Sequence, residues 1–575
     1  MRTSVAVVIV VLAAAVTAQT PAVRFAVLSD QTGGAMPGVY DSVLVEVARM
    51  TPDFVVTVGD QIQGYVGSDT TRLRGEYDAL FAQYDYAFGD RWRTDEDYLI
   101  ITPGNHDITD DQAEPLWLEC IGPTHFRRDV FGVTIFVLDN SRMSEADGIP
   151  AEQFAWLREE LASVKVEDPV IVLTHRPYFS EFVWSGEDDQ AHDLFVEHGV
   201  DAVLAGHWHT YVYEPRDGVQ YMVCGSSGGS TAGHGFENGE FFGFVWATVV
   251  DGSVSLTPIS MGNVHDADML SWDENNAQYA FRSSGVSVSA FDMTGTSGSV
   301  SVTARNTGDL VNTDELAWSV PDNWTVSPVS APFEASPGDS TISVFELSYT
   351  ASPFPLPILE AGLVYGRNKR VETSMPLPLA RTAACPKVSG IRVDGVLYSD
   401  EWKDSHTETA LMSEEGGVSE VDTTTFFFAH DKKGVYIAAT CVFVAGHPLI
   451  AEVTDRDGPV YTEDCVGLFF SPADTVVYQI YVGPNGAVFD GRGFFEGGYV
   501  SMDYDWDGEY KVAATRTDGL WSVELFVPYK TIGVRRDIES MRITFRRKQK
   551  SLDTAADWTP ITFDPADMGI LKLTR

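Results

Sequence analysis

The sequence predicts a multidomain chain in which an α/β domain is followed by two β-sandwiches, and three observations predict it. The 575 residues exceed what one hydrophobic core organises; at about 150 residues per domain they make about three or four units. From Val23 to about Pro258, short apolar runs alternate with stretches whose apolar residues recur at helical spacing. Beyond Val286 the helical patterns give way to short alternating stretches, turn residues and prolines.

The N-terminus comes first. Arg2 precedes an uninterrupted apolar run from Val5 to Val16, and Val16-Thr17-Ala18 offers the small residues of a cleavage site. This is the pattern of a secretory signal peptide over residues 1–18, its apolar core short for a membrane span; a retained anchor is the alternative. No later stretch is long and apolar enough for a membrane helix, so a secreted or periplasmic protein with no span in its mature form is expected.

Residues 22–265 form the α/β domain. Val23 to Ser29, Phe54 to Val58, Tyr98 to Thr102, Val133 to Leu138, Val170 to Thr174 and Ala202 to Ala205 read as buried strands. Val39 to Met50 and Glu152 to Val164 read as helices. Residues 266–284 dissolve into polar residues and read as a linker. Residues 285–381, with Val286-Ser287-Val288 and Val300-Ser301-Val302 among turns and prolines, read as an immunoglobulin-like β-sandwich. Residues 385–575 are again β-rich, with more aromatics and charge.

Composition narrows the partners. The 83 acidic and 39 basic residues give a net charge of −44, a field that repels nucleic acid and anionic membranes, which are held through Lys and Arg. A phosphate-handling site on such a chain needs local positive charge from metals. Cys120, Cys224, Cys385, Cys441 and Cys465 are odd in number and lack zinc-knuckle spacing. Cys441 and Cys465 are the nearest pair, but nothing fixes a pairing.

The chemistry-bearing residues stand at the ends of the predicted strands. Asp30 closes the first, Gly59-Asp60 the second, and Gly104-Asn105-His106-Asp107 follows the third; His175 and Gly206-His207-Trp208-His209 end two later ones. Ligands in open α/β sheets collect outside the carboxyl ends of strands. Carboxylate, carboxamide and imidazole suit zinc, iron and manganese. A single His or Asp at a strand end is ordinarily a cap; five such positions together point to a metal centre.

This run of motifs resembles the calcineurin-like metallophosphoesterases over about residues 22 to 260. The resemblance implies two central β-sheets flanked by helices, and a metal-dependent phosphoric ester hydrolase acting on phosphomonoesters or phosphodiesters. It implies one metal held by Asp30, Asp60 and His209, and a second by Asp60, Asn105, His175 and His207, with Asp60 bridging. His106 would face the leaving group as general acid or electrostatic stabiliser, oriented by Asp107; a purely structural histidine is the alternative. Thr32 departs from the pattern, standing where the family has a histidine ligand. The centre therefore takes two divalent or trivalent ions (Mn, Fe, Zn or Mg) or only one. Gln63 stands where purple acid phosphatases place a tyrosine, so no tyrosinate ligand is expected.

Arg176, next to His175, is a candidate contact for substrate phosphate, although an arginine there also serves to pair with a carboxylate. Arg142 and His125 invite the same two interpretations. Gly225 to Gly229 matches a phosphate-cradling loop in composition only, and a tight turn is the better expectation.

The last segment has its own likeness. Val393-Asp394-Gly395, Asp400-Glu401-Trp402 and Trp521-Ser522-Val523-Glu524 resemble carbohydrate-binding module family nine. That resemblance implies a β-sandwich with polysaccharide as a partner. Trp506 and Trp558 are available to stack on sugar, although a Trp in a sandwich is more often core; Trp402 and Trp521 are expected to be structural, and no sugar-contacting residue is assigned. The competing function is a secreted carbohydrate-binding or adhesion protein whose phosphoesterase-like domain is degenerate, an alternative that rests on Thr32.

Overall fold

The computed structural model describes residues 22–574 except 66–68, 166, 188, 367–368, 474, 497–498 and 535–537. Residues 1–18, expected to be a signal peptide, lie outside the described residues. The chain divides into two compact units, Met1–Ala280 with Tyr365–Val371, and Phe281–Val364 with Glu372–Arg575.

The first unit runs β1 (Val23–Leu28), α1 (Val39–Met50), β2 (Phe54–Thr57), α2 (Thr70–Phe88), α3 (Arg91–Thr94), β3 (Leu99–Ile100), α4 (Ala113–Cys120), β4 (Phe126–Val130), β5 (Val133–Val137), α5 (Ala151–Leu161), β6 (Val170–Leu173), α6 (Gln190–His198), β7 (Ala202–Ala205), β8 (Tyr211–Arg216), β9 (Val219–Cys224), β10 (Gly243–Val250), β11 (Ser253–Ser260), β12 (Asn263–Val264) and α7 (Trp272–Ala280). Two six-stranded sheets result, ordered β12-β11-β10-β1-β2-β3 and β4-β5-β6-β7-β9-β8. β1, β2 and β3 are parallel, as are β5, β6, β7 and β9.

Every residue of β6 and β7 is fully buried, the signature of strands covered on both faces. On α1, Tyr40, Val43, Leu44 and Val47 form the buried stripe that packs with Ala26, Leu28 and Val55. The expected strands and helices are present, with β3 shorter than the run that predicted it. α2 was not legible: its buried Leu73, Tyr77, Leu80 and Tyr84 are diluted by polar residues, and its start is marked by Asp69, which accepts the Arg72 N–H at 3.0 Å. Within the stretch expected to be a linker, Trp272–Ala280 is helical.

Beyond the α/β domain, residues 286–376 contribute two four-stranded sheets. Their strands alternate buried and exposed positions, and Trp318 of one sheet meets Phe345 of the other at 5.8 Å. Farther along, an eight-stranded and a five-stranded sheet enclose a larger core in which Phe426 and Phe428 pack on Phe545, and Trp558 stacks on Phe545. All five cysteines are free thiols.

The three sequence marks of this last region meet at one carboxylate. Glu524, fully buried, accepts the backbone N–H groups of Asp394 and Gly395 at 2.9 and 2.8 Å and the Trp402 indole N–H at 2.8 Å. The marks are thus a structural clamp. Trp402 and Trp521 are buried core residues, as expected, and so is Trp558, which the sequence had left available for sugar. Glu524→Gln keeps the volume but sets an amide N–H against one of these donors. It should cost about 1–3 kcal/mol, the usual penalty for orphaning a buried hydrogen-bonding group. Urea unfolding of the two proteins tests it, and a loss under about 0.5 kcal/mol, the scale of an ordinary surface change, would refute the clamp.

Candidate metal centre

The sequence-selected residues leave the carboxyl ends of parallel strands in both sheets. Asp30 follows β1, Asp60 follows β2, Asn105 and His106 follow β3, His175 follows β6, and His207 and His209 follow β7. Asp60 Oδ2 lies 3.3 Å from His175 Nε2, and His175 Nε2 lies 3.0 Å from Asn105 Oδ1. Ligand atoms of Asp60, His175 and His207 all fall within 4.8 Å of one another. On the other side, Asp30 Oδ1 is 3.5 Å from His209 Nε2.

The backbone accepts strain to achieve this. Asp60, His207 and His209 have φ of 55°, 73° and 55°, a region that costs a residue bearing a Cβ about 1–3 kcal/mol and persists only where surrounding structure enforces it. Two glycines explain the motifs in which they stand. A Cβ on Gly59 would lie 2.4 Å from His175 Nδ1, and one on Gly104 would lie 2.2 Å from Asp60 Oδ1. Only hydrogen at these positions lets the loops close on each other.

Hydrogen bonds aim the imidazoles. Nδ1–H of His175 donates to the Val58 carbonyl at 2.8 Å, that of His106 to the Gln63 carbonyl at 2.7 Å, and that of His209 to the Ser230 carbonyl at 2.6 Å. A carbonyl can only accept, so in each ring Nε2 is left facing the site. His207 Nε2 accepts from Arg176 Nη1 at 2.8 Å, which requires a lone pair on that nitrogen too.

Electrostatics agree with the geometry. Burial opposes it, yet the His175 imidazole and the His106 N–H hold Asp60 down to about 2. Burial works against His175 as well, but Asp60 pulls it up to about 9. Burial, then the charges of His175 and Arg176, press His207 down to about 4. A buried carboxylate that draws a proton onto a neighbouring imidazole also draws a cation, and a neutral His207 is in the state a ligand needs. The donor set fits a divalent cation.

Asp107 departs from expectation. Its carboxylate does not orient the His106 ring: Oδ1 accepts the N–H groups of Gln61 and Ile62, and Oδ2 that of Gly104. The Gln63 carbonyl orients the ring, while Asp107 ties together the two loops that carry Asp60 and His106. The Gly225–Gly229 turn is likewise spent on structure, since the N–H groups of Ser227, Gly228 and Gly229 converge on the Asp30 carbonyl at 2.9–3.1 Å. Thr32 donates its hydroxyl to Gln63 Oε1, so the two positions that depart from family patterns bond to each other. Arg142 pairs with Asp111 and Glu114, and His125 lies edge-on to Trp156.

Three contributors carried no sequence signal. Glu145 sits in a short 3₁₀ turn with Oε1 3.3 Å from His207 Nε2 and 3.6 Å from Arg176 Nη1. Asn140 accepts the N–H groups of His175 and Arg176 and donates to the Arg176 carbonyl. Tyr65 accepts the Asn105 amide N–H at 3.1 Å. All three come from loops between elements, where no periodicity exists to read.

Parts of the chain are similar to known proteins. Residues 23–211 match the family model of calcineurin-like phosphoesterases. Over 134 residues the chain is 31% identical to serine/threonine-protein phosphatase CPPED1 of Bos taurus, a match covering 19% of this chain and 41% of that relative. GAP50, the anchor in the inner membrane complex of Plasmodium, aligns with 43% of this chain and 88% of its own at 15% identity and a TM-score of 0.31. A family nine carbohydrate-binding module from Caldicellulosiruptor kristjanssonii, in complex with cellotriose, aligns with 34% of this chain and 94% of its own at 13% identity and a TM-score of 0.25. Residues 23–211 of this chain are a calcineurin-like phosphoesterase domain.

Proposed function

We propose that the protein is an exported, metal-dependent phosphoesterase acting on phosphomonoesters or phosphodiesters, tethered to polysaccharide through residues 385–575. One observation carries the catalytic part: ligand atoms of Asp60, His175 and His207 lie within 4.8 Å of one another, with Asn105 at 3.0 Å from His175 and a second pair, Asp30 and His209, at 3.5 Å. Bound there, divalent cations supply Lewis acidity toward a phosphoryl oxygen and make a water acidic enough to attack phosphorus.

The chain's own groups do the rest. His106 Nε2, 4.0 Å from Asp60 Oδ2 and held from behind by the Gln63 carbonyl, is positioned to give its proton to the leaving oxygen. Arg176 presents charge-assisted donors to phosphate, with Glu145 as its counter-charge. Asp60, Asn105, His175 and His207 would hold one ion, and Asp30, Asp60 and His209 would hold a second. With the Thr32 hydroxyl spent on Gln63, the Asp30 side is one imidazole short and would favour a harder, less tightly held ion. Six intact donors with oriented lone pairs support an active enzyme over a degenerate one. Export is supported by the signal-like N-terminal pattern, and no helix among the described residues is long and apolar enough to cross a membrane. The polysaccharide tether is supported by the resemblance of the marks around Glu524 to carbohydrate-binding module family nine.

Metal content per chain, measured alongside hydrolysis of p-nitrophenyl phosphate and bis-p-nitrophenyl phosphate with Mn, Zn, Fe and Mg added in turn, tests the catalytic part. Turnover that requires an added ion and is lost on chelation is the expected result. No bound metal and no turnover with any ion would overturn it. Depletion of the full chain from solution by insoluble polysaccharides tests the tether.

A further inference from the structure

We propose that Tyr65 forms the leaving-group wall of this centre and favours phosphoesters whose leaving group carries a planar aromatic ring. This rests on the phosphoesterase assignment above and adds a substrate class to it.

The segment Gln63-Gly64-Tyr65 clamps the Asn105-His106 loop at successive points. The Gln63 carbonyl accepts from His106 Nδ1 at 2.7 Å. A Cβ on Gly64, at φ +58°, would lie 1.8 Å from the His106 carbonyl oxygen, so the two backbones touch. The Gly64 N–H is pinned from α2 by Glu76 Oε2 at 2.8 Å. Tyr65 then adopts φ 52°, a conformation that a side chain with a Cβ takes only under constraint. The constraint sets its ring edge-on to His106, with centroids 4.8 Å apart and an interplanar angle of 86°. It also brings its hydroxyl to the Asn105 amide at 3.1 Å.

The ring nonetheless remains 61% exposed. A tyrosine serving the core would be buried, and one serving only solubility would not be held in a strained turn against a site histidine. His106 points Nε2 at the leaving oxygen, so the ring beside it lines the space that the rest of the leaving group enters. An aromatic face there stacks on any planar ring without reading its edge, and gives an acyclic alcohol little.

Adenosine 5′-monophosphate and glycerol 3-phosphate test this, because both leave as primary alkoxides and differ in the planar ring. In Tyr65→Leu, the ratio of KM for adenosine monophosphate to KM for glycerol phosphate should rise about tenfold, a typical loss for one stacked base. Tyr65→Phe should retain the wild-type preference. Adenosine alone, followed by saturation-transfer NMR, should bind wild type and Tyr65→Phe and bind Tyr65→Leu about tenfold more weakly. Equal effects on both esters, or unchanged adenosine binding in Tyr65→Leu, would overturn the inference. Absence of wild-type turnover on every ester would instead count against the phosphoesterase assignment, and the adenosine measurement still decides the role of Tyr65.

Discussion

Asp60→Asn should lower metal-dependent hydrolysis by at least about a thousandfold, equivalent to about 4 kcal/mol of transition-state stabilisation. In the proposed centre Asp60 would be the one carboxylate shared by both halves. Its Oδ2 faces His175 Nε2 at 3.3 Å and its Oδ1 accepts the His106 N–H at 2.8 Å. An asparagine preserves the shape and an acceptor for the His106 N–H, so the fold should survive. It removes the negative charge that pulls His175 up to about 9 and that would attract a cation. Bound metal per chain should fall in parallel with activity, while the melting temperature of chelated protein stays within a few degrees of wild type, the span of about 1 kcal/mol. Full metal occupancy with full activity in Asp60→Asn would remove Asp60 from the centre.

Asp464→Ala should destabilise the second unit by about 3–5 kcal/mol, the cost of leaving a buried charge without its partner. Arg547 is fully buried, and its Nη2 donates to Asp464 Oδ1 at 2.8 Å. Its guanidinium lies over the Trp521 ring. Asp464 in turn accepts the Ile450 N–H at 2.8 Å. Removing the carboxylate leaves a cation enclosed by protein with no counter-charge. The double variant Asp464→Leu with Arg547→Met should recover most of the loss, because two apolar side chains need no partner. Urea unfolding measures both. A single-variant loss below about 1 kcal/mol, the scale of an exposed pair, would show that water reaches the pair.

The metal centre was legible because its chemistry sits in contiguous motifs: Gly59-Asp60, Gly104-Asn105-His106 and Gly206-His207-Trp208-His209 each combine a ligand with the glycine that makes room for one. What holds those ligands was not legible. Asp107 was expected to orient His106 because the two are adjacent, but its carboxylate turns to the backbone of the neighbouring loop and the Gln63 carbonyl takes that role. A backbone carbonyl is the same in every residue, so sequence cannot announce which one a ring will meet. Glu145 and Asn140 lie in a loop whose residues follow no period, and only folding brings them to His207 and Arg176. In the last region, three separate marks are visible in the chain, yet that two of them supply donors to Glu524 of the third required the fold.

By itself, then, the sequence determined the order of α/β and β-rich parts, since apolar period is local and is written residue by residue. It also determined which side chains are chemically fit to hold a metal. The tertiary structure decided which lone pairs face inward, which loops carry strain, and that Thr32 and Gln63 satisfy each other. Those outcomes depend on contacts between residues far apart in the chain, which no local pattern encodes.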